Sequence, residues 1–121
     1  PRFSRAPDAR TSRVAPRRYI HIMQYMDAKL IHRSKQTRAD GVTIEMVIWS
    51  VEPAVPGSAH EYKYRFYAGR DGRTLVRYDN EVGKGDQKHI GTDEIEVPLR
   101  FVSMQQSVRD FMADIERLKE E

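Results

Sequence analysis

The segment from Val42 to Val51 is the feature that most constrains the fold of this 121-residue chain. Along an extended backbone its apolar side chains form two alternating sets: Val42, Ile44, Met46 and Ile48 on one side, and Val47, Trp49 and Val51 on the other. A strand that is apolar on both faces is typical of the interior of a sheet. We therefore predict a β-sheet built around this strand.

Other strands are predicted on both sides of this segment. They cover about residues 29–35, 61–68 and 74–80, each with alternating side chains or flanking turn residues. Asp40-Gly41 is a turn dipeptide that joins the first of them to the central strand as a hairpin. Residues 95–101 also have an extended pattern, but Pro98 limits them to a sheet edge or to irregular structure.

The register of the second hairpin follows from the distribution of its side chains. A three-residue loop at 70–72 keeps aromatic and charged side chains on separate faces, whereas a two-residue turn mixes them. That loop places Phe66 opposite Val76 and Arg65 opposite Arg77. Because like charges directly opposite each other destabilise a sheet, the two arginines would then need an anion between them.

The last predicted element is an amphipathic helix near the end of the chain. Its apolar residues recur at spacings of three and four: Met104, Val108, Phe111, Met112, Ile115 and Leu118. Ser103 and Gln106 form a capping-box pattern at its start. Together the patterns predict an α+β fold, in which an antiparallel sheet of about four to five strands, with two hairpins, is packed by this C-terminal helix.

Charge divides the chain at about residue 26. The net charge is +3, but residues 1–26 contain six arginines and one acid, so the remainder is mildly acidic. We predict a basic arm at 1–26, disordered or docked on a partner, and a single domain at 27–121. The arm has two plainer interpretations, a solvated tail or sequence upstream of a start at Met23 or Met26.

Composition excludes several classes of protein. The chain has no cysteine, which rules out disulfides and cysteine zinc sites and fits a cytoplasmic location. No apolar run approaches the roughly 18 residues that a membrane-spanning helix needs, so no membrane partner is expected. Overall basicity is no argument for nucleic-acid binding, because most of it lies in the arm.

Residues 77–91 concentrate polar chemistry between glycines. The polar members are Arg77, Tyr78, Asp79, Asn80, Lys84, Asp86, Lys88 and His89. The flanking glycines at 83, 85 and 91 allow positive φ or a close approach of the backbone to a ligand. We predict that this segment leaves a strand, continues as a loop and forms the functional site.

The run from about residue 28 to 118 resembles the TumE family, toxins of bacterial toxin–antitoxin pairs. The matching motifs are Lys29-Leu30-Ile31, Glu45-Met46-Val47-Ile48-Trp49, Tyr62-Lys63-Tyr64-Arg65, Arg77-Tyr78-Asp79-Asn80, Lys84-Gly85-Asp86 and Lys88-His89-Ile90-Gly91. The resemblance implies a growth-inhibiting toxin that a neighbouring antitoxin, commonly one with a helix-turn-helix DNA-binding domain, holds inactive. A sheet with helices would also suit a compact ribonuclease-type toxin.

If RNA is the substrate, cleavage requires proton transfer and positive charge on the phosphate. Residue chemistry assigns catalysis, without a metal or other cofactor, to His89, Lys88 and Arg77. The predicted phosphate-binding residues are Arg65, Lys63, Lys84 and Tyr78. Base stacking is predicted for Tyr64 or Tyr67. The orienting residues at the strand end are Asp79, Asn80 and Asp86.

Other interpretations of these residues stay open. Asp79, Asp86 and His89 form a weaker candidate for a Mg²⁺ or Mn²⁺ site, because the acids lie far apart on a flexible segment. His89 is equally a surface histidine, and Arg65 and Arg77 suit an ion-pair ladder with Asp79.

Two non-enzymatic functions also fit the sequence. A cationic face of Arg65, Arg77, Lys84 and Lys88 would bind nucleic acid or an acidic partner without turnover. Alternatively the chain is a structural subunit that docks through residues 19–26 or the helix. One helix covers only one sheet face, so the other, with Trp49, is predicted to meet a partner or a second copy in a homodimer.

Overall fold

The computed structural model describes residues 27–120, which form one antiparallel sheet and one helix. The elements are β1 (Asp27–Thr37), β2 (Thr43–Glu52), β3 (Tyr62–Arg70), β4 (Arg73–Glu81), β5 (Gly85–Ile90), β6 (Ile95–Pro98) and α1 (Met104–Leu118). The predicted α+β class, antiparallel sheet and C-terminal helix are confirmed. No helix in the described part is long and apolar enough to span a membrane. The predictions for residues 1–26 lie outside the described residues.

The sheet has six strands, so the prediction of four to five is wrong. Each strand pairs with its neighbours in sequence, in the order β1-β2-β3-β4-β5-β6. The missed strand is β5, which lies in the segment predicted as a loop and pairs with β4 after a turn at 82–84. Its polar residues fall on both faces, so its sequence has no apolar alternation. β6 is an edge strand and contains Pro98, as the sequence allowed.

The hairpin of β3 and β4 has a different turn from the predicted one. The chain reverses through the two-residue turn Asp71-Gly72, in which both residues have positive φ, 56° and 74°. Gly69 lies opposite Thr74, but Ala68 lies opposite Val76, so one residue of β4 bulges between these pairs. Such a bulge changes the register within a strand, which a uniform alternation argument does not include.

Together, the two-residue turn and the bulge displace each cross-strand partner by two residues from the predicted register. Phe66 lies opposite Tyr78, and Arg65 lies opposite Asp79 rather than Arg77. Because the displacement is an even number of residues, the predicted separation of aromatic and charged faces is retained. The predicted cross-strand pairing of Arg65 with Arg77 is wrong, since Asp79 lies opposite Arg65.

Helix α1 packs on one face of the sheet, which we call the helix face. Its N-cap is Ser103, whose Oγ accepts a hydrogen bond from the Gln106 N–H at 3.0 Å. Phe111 is fully buried, and its ring centroid lies 5.3 Å from that of Phe66 and 5.4 Å from that of Tyr78. The apolar stripe of the helix therefore forms the main core with β2, β3 and β4.

The opposite side of the sheet, which we call the second face, has a smaller apolar cluster. Trp49 and Val51 of β2 are buried there together with Val55 from the loop between β2 and β3. The same loop contacts the β4–β5 turn, where the Gly83 N–H donates to the Pro56 carbonyl at 2.6 Å. Trp49 is only 1% exposed, so it does not form the exposed apolar patch on which a homodimer was predicted.

Candidate functional site

Half of the ten predicted site residues lie on the second face, across three adjacent strands. Arg65 on β3 lies opposite Asp79 on β4, and Arg77 on β4 lies opposite His89 on β5. Residues opposite each other in a sheet share a face, and so do residues two apart on one strand. The face therefore also carries Lys63 and Glu81.

Arg77, Asp79 and His89 form a buried polar centre on this face. The Arg77 Nε lies 3.3 Å from Asp79 Oδ2, and the His89 Nε2 lies 3.9 Å from Asp79 Oδ1. The side chain of Asp79 is 1% exposed and that of His89 is 8% exposed. Each oxygen of the carboxylate thus faces a different nitrogen-bearing side chain.

The polar centre lacks the hydrogen bonds that buried groups normally make. Among residues 27–120, neither carboxylate oxygen of Asp79 has a hydrogen-bond partner, and neither Arg77 Nε nor His89 Nε2 has one. Burial raises the pKa of Asp79, and the charges of Arg77, His89 and Lys63 offset only part of that effect. Because buried polar groups are rarely left unpaired, this centre is the place to look for a ligand.

The two arginines of the predicted site, Arg77 of the catalytic set and Arg65 of the phosphate-binding set, have different surroundings. Arg77 also forms an ion pair with Glu94, at 3.1 Å from NH1, and its side chain is 17% exposed. The Arg65 guanidinium lies 5.7 Å from the ring centroid of Tyr67, one of the two tyrosines predicted to stack a base. Tyr67 lies opposite Arg77, so a planar cation and an aromatic ring border the polar centre.

Lys63 and Lys84 differ in how exposed their side chains are. Lys63 is 1% exposed, and its Nζ donates a hydrogen bond to the Asn80 carbonyl. It borders the polar centre from within the sheet and is one of the charges that act on Asp79. Lys84 lies in the β4–β5 turn, with its side chain 53% exposed and 3.4 Å from Glu96.

Lys88 and Tyr78 lie on the helix face, away from the polar centre. The Lys88 Nζ lies 2.9 Å from Asp114 Oδ2 of α1, and the Tyr78 hydroxyl donates to the same oxygen at 2.6 Å. Burial and then this hydrogen bond raise the pKa of Tyr78. The structure therefore does not bring Lys88 together with His89 and Arg77, the other residues predicted to be catalytic.

Replacing Asp114 with asparagine is expected to destabilise the protein by about 1–3 kcal/mol at pH 7, because hydrogen bonds to a charged group are lost. Burial by itself raises the pKa of Asp114, but the hydrogen bonds from Tyr78, Lys88 and Arg117 bring it below the ordinary value of 3.8. A depressed folded-state pKa stabilises the protein above 3.8, and this contribution is lost as the pH falls through the folded-state value.

The measurement is urea denaturation of the two proteins from pH 7 down to pH 3. The stability difference is expected to shrink below about pH 4. Asp93→Asn, a substitution at an exposed turn position, is the matched control and should change little. A difference that stays constant with pH would contradict the assignment.

The remaining orienting residues also lie on the helix face. Asn80 accepts a hydrogen bond from the Tyr64 N–H at 3.1 Å and donates to the Tyr62 carbonyl at 2.7 Å. Asp86 accepts hydrogen bonds from the Tyr64 hydroxyl and, at 3.0 Å, from His60 Nε2. These contacts connect the ends of β3, β4 and β5, and they take Asp86 out of reach of the polar centre.

Glu81 is the residue that sequence reasoning missed. Asp79, Glu81 and His89 each offer one atom to a group whose members all lie within 4.8 Å of one another. The available signal was the spacing of Asp79 and Glu81, since two residues on one strand place both carboxylates on the same face. A metal site built from Asp79, Asp86 and His89, the weaker alternative above, does not form because Asp86 lies on the other face.

The fold and this centre together define a small α+β protein with one candidate catalytic face on its sheet. The family model described as Toxin TumE matches residues 17–119. That match covers most of the chain, so this protein belongs to the TumE toxin family, as the resemblance indicated. No curated protein and no solved structure matches the chain. Membership in a toxin family suggests an antitoxin as the partner.

Proposed function

We propose that this protein is the toxin of a type II toxin–antitoxin pair and acts in the cytoplasm as a ribonuclease. Its antitoxin partner would carry a helix-turn-helix DNA-binding domain. Toxin family membership supports the toxin part of this proposal. The ribonuclease part is supported by the second face of the sheet, where cationic, aromatic and buried ionisable side chains occur together.

One observation carries the ribonuclease proposal above the others. The carboxylate of Asp79 and the Nε2 of His89 are buried without hydrogen-bond partners among the described residues. Leaving such groups unpaired costs about 1–3 kcal/mol each, a cost that a purely structural cluster would avoid. Sites that bind or transform a ligand tolerate this cost because the ligand completes the hydrogen bonds.

The surrounding side chains suit a phosphodiester substrate. Arg65 and Arg77 offer planar guanidinium groups for a phosphate, and Tyr67 offers a ring for an unstacked base. In cleavage the ribose 2′-oxygen attacks phosphorus and loses its proton, while the bond to the 5′-oxygen breaks and that oxygen takes up a proton from solvent water. We assign the acceptance of the first proton to His89.

The alternative function is binding without turnover. It is favoured by the ion pairs of Arg77 with Asp79 and Glu94, at 3.3 Å and 3.1 Å, which are typical of a structural ladder. A face of this kind would block an RNA or an acidic partner without chemistry. The original cationic set is reduced in this case to Arg65, Arg77 and Lys84, since Lys88 contacts Asp114 on the helix face.

Induction of the full chain in a bacterial host tests both functions. Wild type is expected to arrest growth with loss of intact RNA, while His89→Gln and Arg77→Ala lose both effects. Arg73→Ala, at an exposed position beside the β3–β4 turn, is the matched control and should behave as wild type. Arrest by all variants with intact RNA would support the binding function, and no arrest by folded protein would contradict the toxin proposal.

A further inference from the structure

We propose that Asp79, Glu81 and His89 bind one divalent metal ion of the Mg²⁺ and Mn²⁺ class. Two carboxylates come from β4 and the imidazole from β5, so the ligands lie on paired strands of the sheet and not on a mobile loop. Oxygen ligands suit Mg²⁺ and Mn²⁺, and the added imidazole nitrogen favours Mn²⁺ of these two.

The distances fit such an ion. The three candidate ligand atoms lie within 4.8 Å of one another. Metal–ligand bonds of about 2.0–2.2 Å place neighbouring ligand atoms about 3 Å apart and opposite ones about 4.4 Å apart, so a pair 4.8 Å apart must close by at least about 0.4 Å. Side-chain rotation supplies a change of this size without moving the backbone.

The unpaired atoms of the polar centre are an independent sign of a missing ligand. Asp79 and His89 are buried, yet the carboxylate oxygens of Asp79 and the His89 Nε2 have no hydrogen-bond partner among residues 27–120. An ion between these residues would occupy the lone pairs that otherwise stay unsatisfied. Ordinary surface clusters of acids lack this feature, since water satisfies them.

The contact between Asp79 and Arg77 is compatible with a bound ion. Asp79 presents Oδ1 to His89 and Oδ2 to Arg77, so an ion on Oδ1 leaves the contact with Arg77 at 3.3 Å in place. Hydrogen-bonding partners of this kind orient a ligand carboxylate from outside the coordination sphere. The positive charge of Arg77 is in turn balanced by Glu94 at 3.1 Å.

A catalytic role of the ion rests on the proposed ribonuclease function, whereas binding of the ion to the protein does not. A bound divalent ion would polarise the phosphate or activate a water molecule beside it. His89 would then be a metal ligand and not the proton acceptor. A metal-dependent mechanism would take the place of the metal-free one predicted from the sequence. Ion binding and RNA cleavage are therefore measured separately.

The test is titration of the full chain with MnCl₂ alone, followed by the loss of the free Mn²⁺ electron paramagnetic resonance signal. Wild type is expected to bind one ion per chain, and Mg²⁺ is expected to compete. Asp79→Asn, Glu81→Gln and His89→Gln should each raise the Kd at least about tenfold. Asp110→Asn, the same type of change at an exposed position of α1, should leave the Kd unchanged.

Folding of each variant is checked by circular dichroism, and if Asp79→Asn unfolds, the variants at Glu81 and His89 carry the test. Absence of binding by folded wild type up to about 1 mM Mn²⁺ would overturn the inference. Binding that all three variants retain would also overturn it. If the wild type binds Mn²⁺ in the titration but cleaves RNA at an undiminished rate in EDTA, only the catalytic role of the ion is overturned.

Discussion

Replacing Phe111 with alanine is expected to lower the free energy of unfolding by about 3–5 kcal/mol, the largest stability effect of any single substitution considered for this protein. Phe111 is fully buried, and its ring lies between Phe66 and Tyr78 in the main core. The substitution removes the transfer free energy of the ring and leaves a cavity between α1 and the sheet. Helix α1 covers the helix face of the sheet, and its docking there depends on the packing of the Phe111 ring.

Chemical denaturation followed by far-UV circular dichroism measures this effect. Val102→Ala is the control, since Val102 precedes the same helix but is 67% exposed and should change stability by less than about 0.5 kcal/mol. Similar losses for the two variants would contradict the packing described here. So would a Phe111→Ala protein that unfolds at the wild-type denaturant concentration.

Replacing Arg77 with alanine is expected to slow RNA cleavage by about 10²–10³-fold, the loss typical of removing one preorganised donor from a developing charge. Arg77 lies on the second face, with its Nε 3.3 Å from Asp79 Oδ2, and its side chain is 17% exposed. Arg77→Lys keeps the positive charge but not the planar fork, so little activity should return.

Single-turnover cleavage of an RNA oligonucleotide by purified protein measures this rate. Arg73→Ala is the control because it removes the same side chain from the exposed start of β4. Equal rates for Arg77→Ala and wild type, with both folded, would remove Arg77 from the catalytic set. Full recovery by Arg77→Lys would indicate a role for charge alone.

The elements with a single clear side-chain period were predictable from the sequence. The stripe that contains Phe111 and the double alternation of β2 both depend on burial against a defined face, and both are present in the structure. Strand β5 was not predictable in this way. It presents Gln87 and His89 to one face and Lys88 to the other, so its extended state depends on pairing with β4 and not on its own pattern.

Because β5 was not predicted as a strand, the predicted and observed positions of the site residues also differ. A loop permits Lys88 and His89 to act together, whereas in a strand consecutive side chains point to opposite faces. Lys88 therefore reaches Asp114, and His89 reaches Asp79. The predicted strand ended at residue 80, so Glu81 lay outside it. Glu81 was therefore not recognised as sharing a face with Asp79, two residues earlier.

The meander order of the sheet bears on how the chain acquires its fold during synthesis. Every strand pairs with its neighbours in sequence, so the hairpins can form one after another without closing a long loop first. Docking of α1 is different, because it brings Phe111 against Phe66 from far along the chain. Because α1 is translated after all six strands, the apolar helix face of the sheet is still uncovered when the strands leave the ribosome. A chain that pauses before residue 104 therefore exposes the surface most prone to aggregation.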